Sequence, residues 1–236
     1  MSKVAIISGA SSGIGAATAR QFVAAGFTTF NISRRPCPVD GVENICGDLS
    51  TKHTAQALAD DLANQLSQLN PESVCLIHNA SLMLKDHCDS CSDNDFDTVM
   101  QINLSAINTL NRALLPRLHP SSSVLYVGST LSEKAVSGAF SYIVSKHAQL
   151  GMMRATCQDL MGRGIHTALI CPGFTDTEML RQHVGNDADI ITSISQMNSF
   201  KRLVHPEEIA EMLFWAHHNP VINGSVMHGN LGQVEH

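Results

Sequence analysis

Short apolar runs alternate along the chain with longer stretches in which apolar residues recur every three or four positions. The runs Val4-Ala5-Ile6-Ile7, Val74-Cys75-Leu76-Ile77 and Val124-Leu125-Tyr126-Val127 are continuous rather than alternating. A strand that is apolar on both faces must be covered on both, as in a parallel sheet held between two helical layers. The pattern predicts strands near 3–7, 28–32, 43–46, 73–78, 123–128, 166–171 and 225–228, and helices near 14–25, 52–69, 93–115, 139–161 and 206–217. Strand and helix alternate without an internal repeat or a low-complexity linker, which defines a doubly wound α/β fold in a single domain. The helix over 139–161 carries Phe140, Ile143, Val144, Leu150, Met152, Met153, Cys157 and Leu160 around most of its circumference. It is expected to be buried on several sides, either within one subunit or against a second one.

The first strand runs into the turn Ser8-Gly9-Ala10-Ser11-Ser12-Gly13-Ile14-Gly15 and then into a helix. That order suits a dinucleotide. Glycines let the backbone approach a pyrophosphate, and the helix N-terminus offers unpaired N–H groups and the positive end of its dipole. The spacing differs from the usual G-x-G-x-x-G. Far downstream stand Ser129, Tyr142 and Lys146. Reducing a carbonyl with a nicotinamide places hydride on carbon and negative charge on oxygen, so a proton donor and a group that holds the oxygen are both required. A free tyrosine, with a pKa near 10, needs a neighbouring cation to donate efficiently at neutral pH. Lys146, four residues on, shares its helix face. Ser129 follows a strand at the carboxyl edge of the sheet, where α/β ligands bind, and its hydroxyl is placed to orient a substrate oxygen.

The glycine turn together with Asn103, Ser129, Tyr142 and Lys146, in this order and at these spacings, resembles the classical short-chain dehydrogenase/reductase family, and the resemblance covers most of the chain. It implies a Rossmann-like sheet and a cofactor turn lined by Gly9, Ser11, Ser12, Gly13, Ile14 and Gly15. It further implies that Tyr142 is the proton donor, that Lys146 lowers its pKa and binds the ribose, and that Asn103 holds a relay water. By the same resemblance Asp48 and Leu49 meet the adenine, Asn79-Ala80 closes the sheet edge, and Pro172, Gly173, Thr175 and Thr177 lie beside the nicotinamide amide. Residues 175–204 correspond to the family's substrate lid, and homodimers or homotetramers are common. The chain departs from the family pattern at Ser81, where the motif has glycine, and at Met227-His228-Gly229-Asn230, where a more glycine-rich turn is usual.

Cofactor choice is expected to be set near the end of the second strand, about 20 residues past the central glycine, where an NAD enzyme places an acid on the ribose hydroxyls. Here stand Ser33, Arg34 and Arg35. A guanidinium makes paired charge-assisted bonds to a 2′-phosphate, so NADPH is expected over NADH, the alternative being that the arginines are solvated loop charges.

A formal net charge of −6 without a Lys/Arg run argues against a nucleic-acid partner. There is no signal-peptide pattern and no stretch of about 18 apolar residues to cross a membrane, so a soluble cytoplasmic protein is expected. The 7 cysteines, an odd number, read as reduced thiols. The Cys88/Cys91 pair lacks the further ligands a zinc site needs, so no metal is expected. His217 and His218 end the last helix, where cations suit the dipole. His205 before Pro206 reads as a helix-start turn. The expected activity is reduction of a ketone, aldehyde or oxoacyl compound to an alcohol, reversibly, with an acyl-thioester reductase as a close variant. The competing class is a non-catalytic NADP-binding regulator, which would have no use for a poised proton donor.

Overall fold

The computed structural model describes residues 2–234. Within them the chain builds β1 (Lys3–Ser8), α1 (Gly13–Ala24), β2 (Thr28–Ser33), β3 (Val42–Cys46), α2 (Lys52–Leu69) and β4 (Ser73–His78). It continues through α3 (Asp93–Met100), α4 (Ala106–Leu114), β5 (Ser123–Val127), α5 (Phe140–Asp159), β6 (His166–Pro172), α6 (Glu178–Val184), α7 (Ala188–Ser195), α8 (Pro206–His218) and β7 (Ser225–Gly229). The seven strands form one sheet in the order β3-β2-β1-β4-β5-β6-β7, every pairing parallel. This is a Rossmann-like, doubly wound sheet. Consecutive residues of each central strand point to opposite faces, so the continuous apolar runs feed two cores. Val4 and Ile6 pack with Leu62, Leu110 and Met153 from α2, α4 and α5. Ala5 and Ile7 pack with Phe22 from α1 and Ile209 and Leu213 from α8.

Local chemistry sets the helix ends. Thr51 caps α2 by accepting the Thr54 amide hydrogen, and Asn70, in a left-handed turn at φ 41°, ends it. Pro206 starts α8, where the Glu208 carboxylate accepts from the His205 amide at 2.8 Å. The order of the chain switches direction across the sheet between β1 and β4, so the crevice for a ligand lies at their carboxyl ends.

Three expectations need correction. The single helix read over 93–115 is α3 and α4 joined by a π-helical turn, Gln101–Ser105, with Asn103 at its centre; apolar periodicity does not register one extra residue in a turn. The helix near 139–161 buries only part of its apolar set, Leu150, Met153 and Leu160 among them. Its buried face carries Ser141, Tyr142, Ser145, Lys146 and Gln149 ahead of Leu150 and Met153, whereas Phe140 and Val144 are each 36% exposed. His217 is no capping cation. It is buried, its Nδ1 lies 2.8 Å from the Ser123 hydroxyl, and burial pushes its pKa down to about 3, leaving a neutral ring. No described helix is long and apolar enough to cross a membrane.

Candidate active site

The glycine turn leaves β1 at Ser8 and is built around two close approaches. Gly9 has φ 77°, and its N–H donates to the Ile32 carbonyl at 2.8 Å. A Cβ on Gly15 would sit 2.2 Å from the Gly9 carbonyl oxygen, so no side chain fits there. Asn79, just past β4, locks the turn from the side. Its Nδ2 donates to the Ser8 and Gly9 carbonyls at 3.0 Å each, and the Asn79 and Ala80 amides both donate to Ser8 Oγ. The Ala10 amide donates to Asn31 Oδ1 at 2.9 Å. Ser11, Ser12, Gly13 and Ile14 are half-buried along the turn. Ser12 begins α1 without a capping side-chain bond, and the first turn of α1 holds no acid. A helix start with no acid in its own first turn, set over a glycine floor, fits a pyrophosphate.

At the end of β2, Ser33 donates to the Arg35 carbonyl and Arg34 is exposed. The Arg35 guanidinium is not free. It pairs with Glu178 of α6 at 2.8 Å, and the Glu178 carboxylate also takes a hydrogen bond from Ser12. Sequence reading missed Glu178 because it lies 143 positions away. Asp48 accepts the Ser50 amide at 2.8 Å, and buried Leu49 presents its carbonyl to Gln101. Pro172 ends β6, Gly173 donates to the Gly229 carbonyl, and Thr175 donates to the Gly173 carbonyl at 3.0 Å. Thr177 caps α6 and sets its methyl 3.0 Å from the place a Gly13 Cβ would take, so α6 begins directly over the glycine turn. The 175–204 segment thus contains two short helices, with Met179, Ile190 and Phe200 exposed along it. Arg181 in α6 is chelated by Asp176 at 2.7 and 2.9 Å.

Ser129, Tyr142 and Lys146 converge beyond the carboxyl ends of β5 and β6. Ser129 accepts the Leu131 amide hydrogen at 3.1 Å, which sets its side chain at the start of a short turn. Tyr142 is 8% exposed in the first turn of α5. Burial pushes its pKa up to about 12, while the nearby hydroxyls of Ser129 and Ser81 pull the other way. Lys146 is 2% exposed and burial pushes its pKa down to about 8. Its ammonium donates to the Val127 carbonyl at 2.8 Å and to Gln149 Oε1 at 3.2 Å, and lies 5.4 Å from the centre of the Tyr142 ring. In the folded chain burial outweighs the pull of the two serine hydroxyls, and the phenol stands above its ordinary range. Gln149, one turn beyond Lys146, was missed because a glutamine on a helix has no motif of its own.

Asn103 has its amide fully engaged. Oδ1 accepts from the Leu82 amide at 2.8 Å, and Nδ2 donates to the Leu82 carbonyl at 3.0 Å and to Ser145 Oγ at 2.9 Å. It fastens the loop after β4 to α5. Asp86 makes a second fastening, accepting from the Ser141 amide at 3.1 Å and from the Ser141 hydroxyl, one residue before Tyr142. Cys91 points at Asp86 Oδ2 from 3.3 Å, and Cys88 is exposed.

A parallel doubly wound sheet, a glycine turn that fits a dinucleotide and a serine–tyrosine–lysine cluster at the same sheet edge define an NAD(P)-type oxidoreductase. Residues 9–233 match the family profile described as enoyl-(acyl carrier protein) reductase. The chain belongs to the short-chain dehydrogenase/reductase family. It is 27% identical over 230 residues to a rhamnolipid-biosynthesis 3-oxoacyl-[acyl-carrier-protein] reductase of Pseudomonas aeruginosa, covering 89% of this chain and 87% of that one. It is 28% identical over 247 aligned residues to an acetoacetyl-CoA reductase of Rhizobium meliloti, covering 99% of both. Among solved structures, 4-hydroxyisoleucine dehydrogenase complexed with NADH superposes with a TM-score of 0.87 at 23% identity over 98% of both chains. A putative NAD(P)-dependent gluconate 5-dehydrogenase from Beutenbergia cavernae with bound NADP superposes at 0.84 and 24% identity, covering 96% of this chain and 94% of that one. These two likenesses establish the fold.

Proposed function

We propose that the protein is an NADPH-dependent reductase that converts a carbonyl to an alcohol, reversibly, with 3-oxoacyl thioesters and related ketones as the substrate class. The observation that carries the reading is the convergence of a buried phenol, a buried ammonium and the Ser129 hydroxyl at the edge of a turn that fits a pyrophosphate. The reductase names of the two relatives support the oxoacyl class.

In this reading the bound nicotinamide supplies the hydride. Ser129 holds the substrate oxygen, and Tyr142 gives that oxygen its proton. An alkoxide is far more basic than a phenolate, so the transfer runs downhill even from a phenol whose pKa stands at about 12. Lys146 carries the positive charge that offsets the phenolate left behind, and it reaches the ribose once it releases the Val127 carbonyl. Asn103 has no free amide hydrogen for a relay water, so such a water would bind its main-chain carbonyl.

The Arg34-Arg35 pair and the lack of an acid at the end of β2 support NADPH over NADH. Arg35 takes a 2′-phosphate only after exchanging Glu178 for it, which ties cofactor entry to movement of α6. Residues 175–204 act as the lid, and its exposed Met179 and Ile190 suit a largely apolar acyl group. The half-open apolar edge of α5, with Phe140 and Val144, supports assembly into a homodimer or homotetramer, which a light-scattering mass checks. The test of function is a panel of acetoacetyl-CoA, ethyl acetoacetate, simple ketones and aldehydes, following NADPH and NADH absorbance. Turnover of oxoacyl compounds with NADPH is expected. No turnover of any carbonyl with either cofactor overturns the reading.

A further inference from the structure

The loop after β4 puts a serine where the family motif has glycine, and its hydroxyl, like His78 Nδ1 at the end of β4, is a buried polar atom without a hydrogen-bond partner among the described residues. Ser81 Oγ is shut off from solvent and has no hydrogen-bond partner within 3.5 Å among the described residues. Buried hydroxyls are nearly always paired, so an unpaired one aimed into a site is a group held ready for something. The backbone around it is fixed. Asn79, two residues before, is bonded to the glycine turn, and Leu82, the next residue, is bonded through both its N–H and its carbonyl to Asn103. Asn103 in turn holds Ser145, whose hydroxyl donates to the Tyr142 carbonyl at 2.7 Å. The loop is thereby tied to the first turn of α5, and the Ser81 hydroxyl lies near enough to the Tyr142 phenol to pull its pKa down without making a well-formed hydrogen bond to it.

We propose that Ser81 is a positioning residue of the proton-transfer step, a second hydroxyl that donates to the Tyr142 oxygen when that oxygen carries negative charge. The proposal rests on Tyr142 being the proton donor. In the forward direction the Tyr142 O–H bond breaks, the proton goes to the substrate oxygen, and the electron pair stays on the phenolate. The Ser81 O–H then points at that phenolate without giving up its own proton, and the bond tightens as the charge appears. In the reverse direction the same bond stabilises the phenolate that must take the proton from an alcohol. A hydroxyl with no formed bond to the neutral phenol keeps its O–H available for the phenolate, and charge-assisted bonds are the shorter and stronger ones. Ser129 acts differently, because its oxygen is already turned by the Leu131 amide, leaving its hydrogen for the substrate or the phenol.

The test uses Ser81→Ala, Ser81→Gly and Ser81→Thr with two readouts. The first is oxidation of ethyl 3-hydroxybutyrate by NADP⁺ against pH. Loss of the hydroxyl is expected to move the ascending limb of kcat upward by about half to one pH unit and to lower kcat at pH 7.5 by about three- to tenfold, with KM little changed and Ser81→Thr close to wild type. The second needs no substrate. The chain has 2 tyrosines, Tyr126 and Tyr142, so ζ-¹³C-tyrosine NMR gives one resonance for each, assigned with Tyr142→Phe. Ser81→Ala is expected to shift the Tyr142 resonance and leave that of Tyr126 in place. An unmoved Tyr142 resonance, or an unmoved pH limb in an active Ser81→Ala enzyme, overturns the proposal. If Tyr142→Phe keeps full turnover, the proton-donor reading fails, and a shift of the Tyr142 resonance in Ser81→Ala still reports the contact by itself.

Discussion

Lys146 gives the sharpest physical test of the site because its charge is buried without a carboxylate. The folded chain holds its pKa near 8 against an ordinary 10.5, and burial is the main cause. The sign follows from proton binding. Between pH 8 and 10.5 the unfolded chain still carries this proton and the folded chain has released it, so stability rises with pH through that window. Below pH 8 both states hold the proton, and the cost of burying the ammonium is present in full, about 3 kcal/mol for a depression of this size. Replacing Lys146 by Met keeps the apolar stem and removes the charge. The Val127 carbonyl and Gln149 Oε1 then lose a donor, which costs about 1–3 kcal/mol but does not vary with pH. Absolute stability at pH 7 is therefore a poor diagnostic, and the pH dependence of the difference between the two proteins is a good one.

Other buried groups titrate in the opposite sense. The Cys75 thiol and the Tyr142 phenol are both pushed up to about 12, so the folded chain keeps protons that the unfolded chain sheds above their ordinary 9 and 10, and each lowers stability as pH climbs. Both stay protonated in the two folded proteins up to pH 10 and so cancel in the difference, as does Cys171, pushed up to about 11 beside Lys146, over most of that range. Urea unfolding followed by circular dichroism at pH 7.5, 8.5 and 10 should show wild type gaining about 2 kcal/mol on the variant over that range. A difference that stays level across it refutes the claim that folding depresses this lysine.

Tyr142→Phe should lower kcat by about 10²–10⁴-fold, the usual contribution of a general acid, while NADPH binding measured by fluorescence is nearly unchanged; equal rates for the two proteins would remove Tyr142 from the mechanism. Glu178→Gln frees the Arg35 guanidinium and should lower the KM for NADPH by about two- to fivefold, the reach of an exposed ion pair, leaving the KM for NADH alone; an equal change for both cofactors would mean that Arg35 does not read the 2′-phosphate. Gly15→Ala places a methyl 2.2 Å from the Gly9 carbonyl, which no rotamer relieves. The turn must open, with a loss of about 1–3 kcal/mol in thermal unfolding and of NADPH binding, and a variant that binds normally would show that the cradle is looser than it looks.

The fold was legible because its central strands are apolar on both faces, which calls for a parallel sheet held between two helical layers. The glycine turn was legible for a related reason: the close contact of Gly15 with Gly9 and the positive φ of Gly9 are conditions only glycine meets, so the requirement is written in the residue type. Arg35 was legible as a cation but not as a paired one, because Glu178 reaches it from a segment whose short helices carry no strong periodicity. The break at Asn103 was hidden as well. A π-helical turn keeps the residues on either side in apolar register well enough to pass for one helix, yet it turns the Asn103 amide toward Leu82 and Ser145.

The helix that carries Tyr142 and Lys146 shows why apolar pattern is a poor guide at this kind of site. A core helix buries leucines; the N-terminal half of α5 buries Ser141, Tyr142, Ser145, Lys146 and Gln149, and puts Phe140 and Val144 toward the outside. Each buried polar group has a named partner. Asp86 takes Ser141, Asn103 takes Ser145, the Val127 carbonyl takes Lys146, Gln149 shares the same ammonium, and the hydroxyls of Ser129 and Ser81 attend the phenol. Leu150 and Met153 supply the ordinary apolar contact only further along. The first two turns of α5 are thus held by matched hydrogen bonds in a region that excludes water, where an unmatched group is costly. Such an arrangement fixes the phenol and the ammonium within narrow limits, at the expense of burying an ammonium whose charged form burial disfavours. The same need for matching explains why the residues that do the holding, Asp86, Asn103 and Gln149, lie on three different elements and share no spacing that a one-dimensional reading would group.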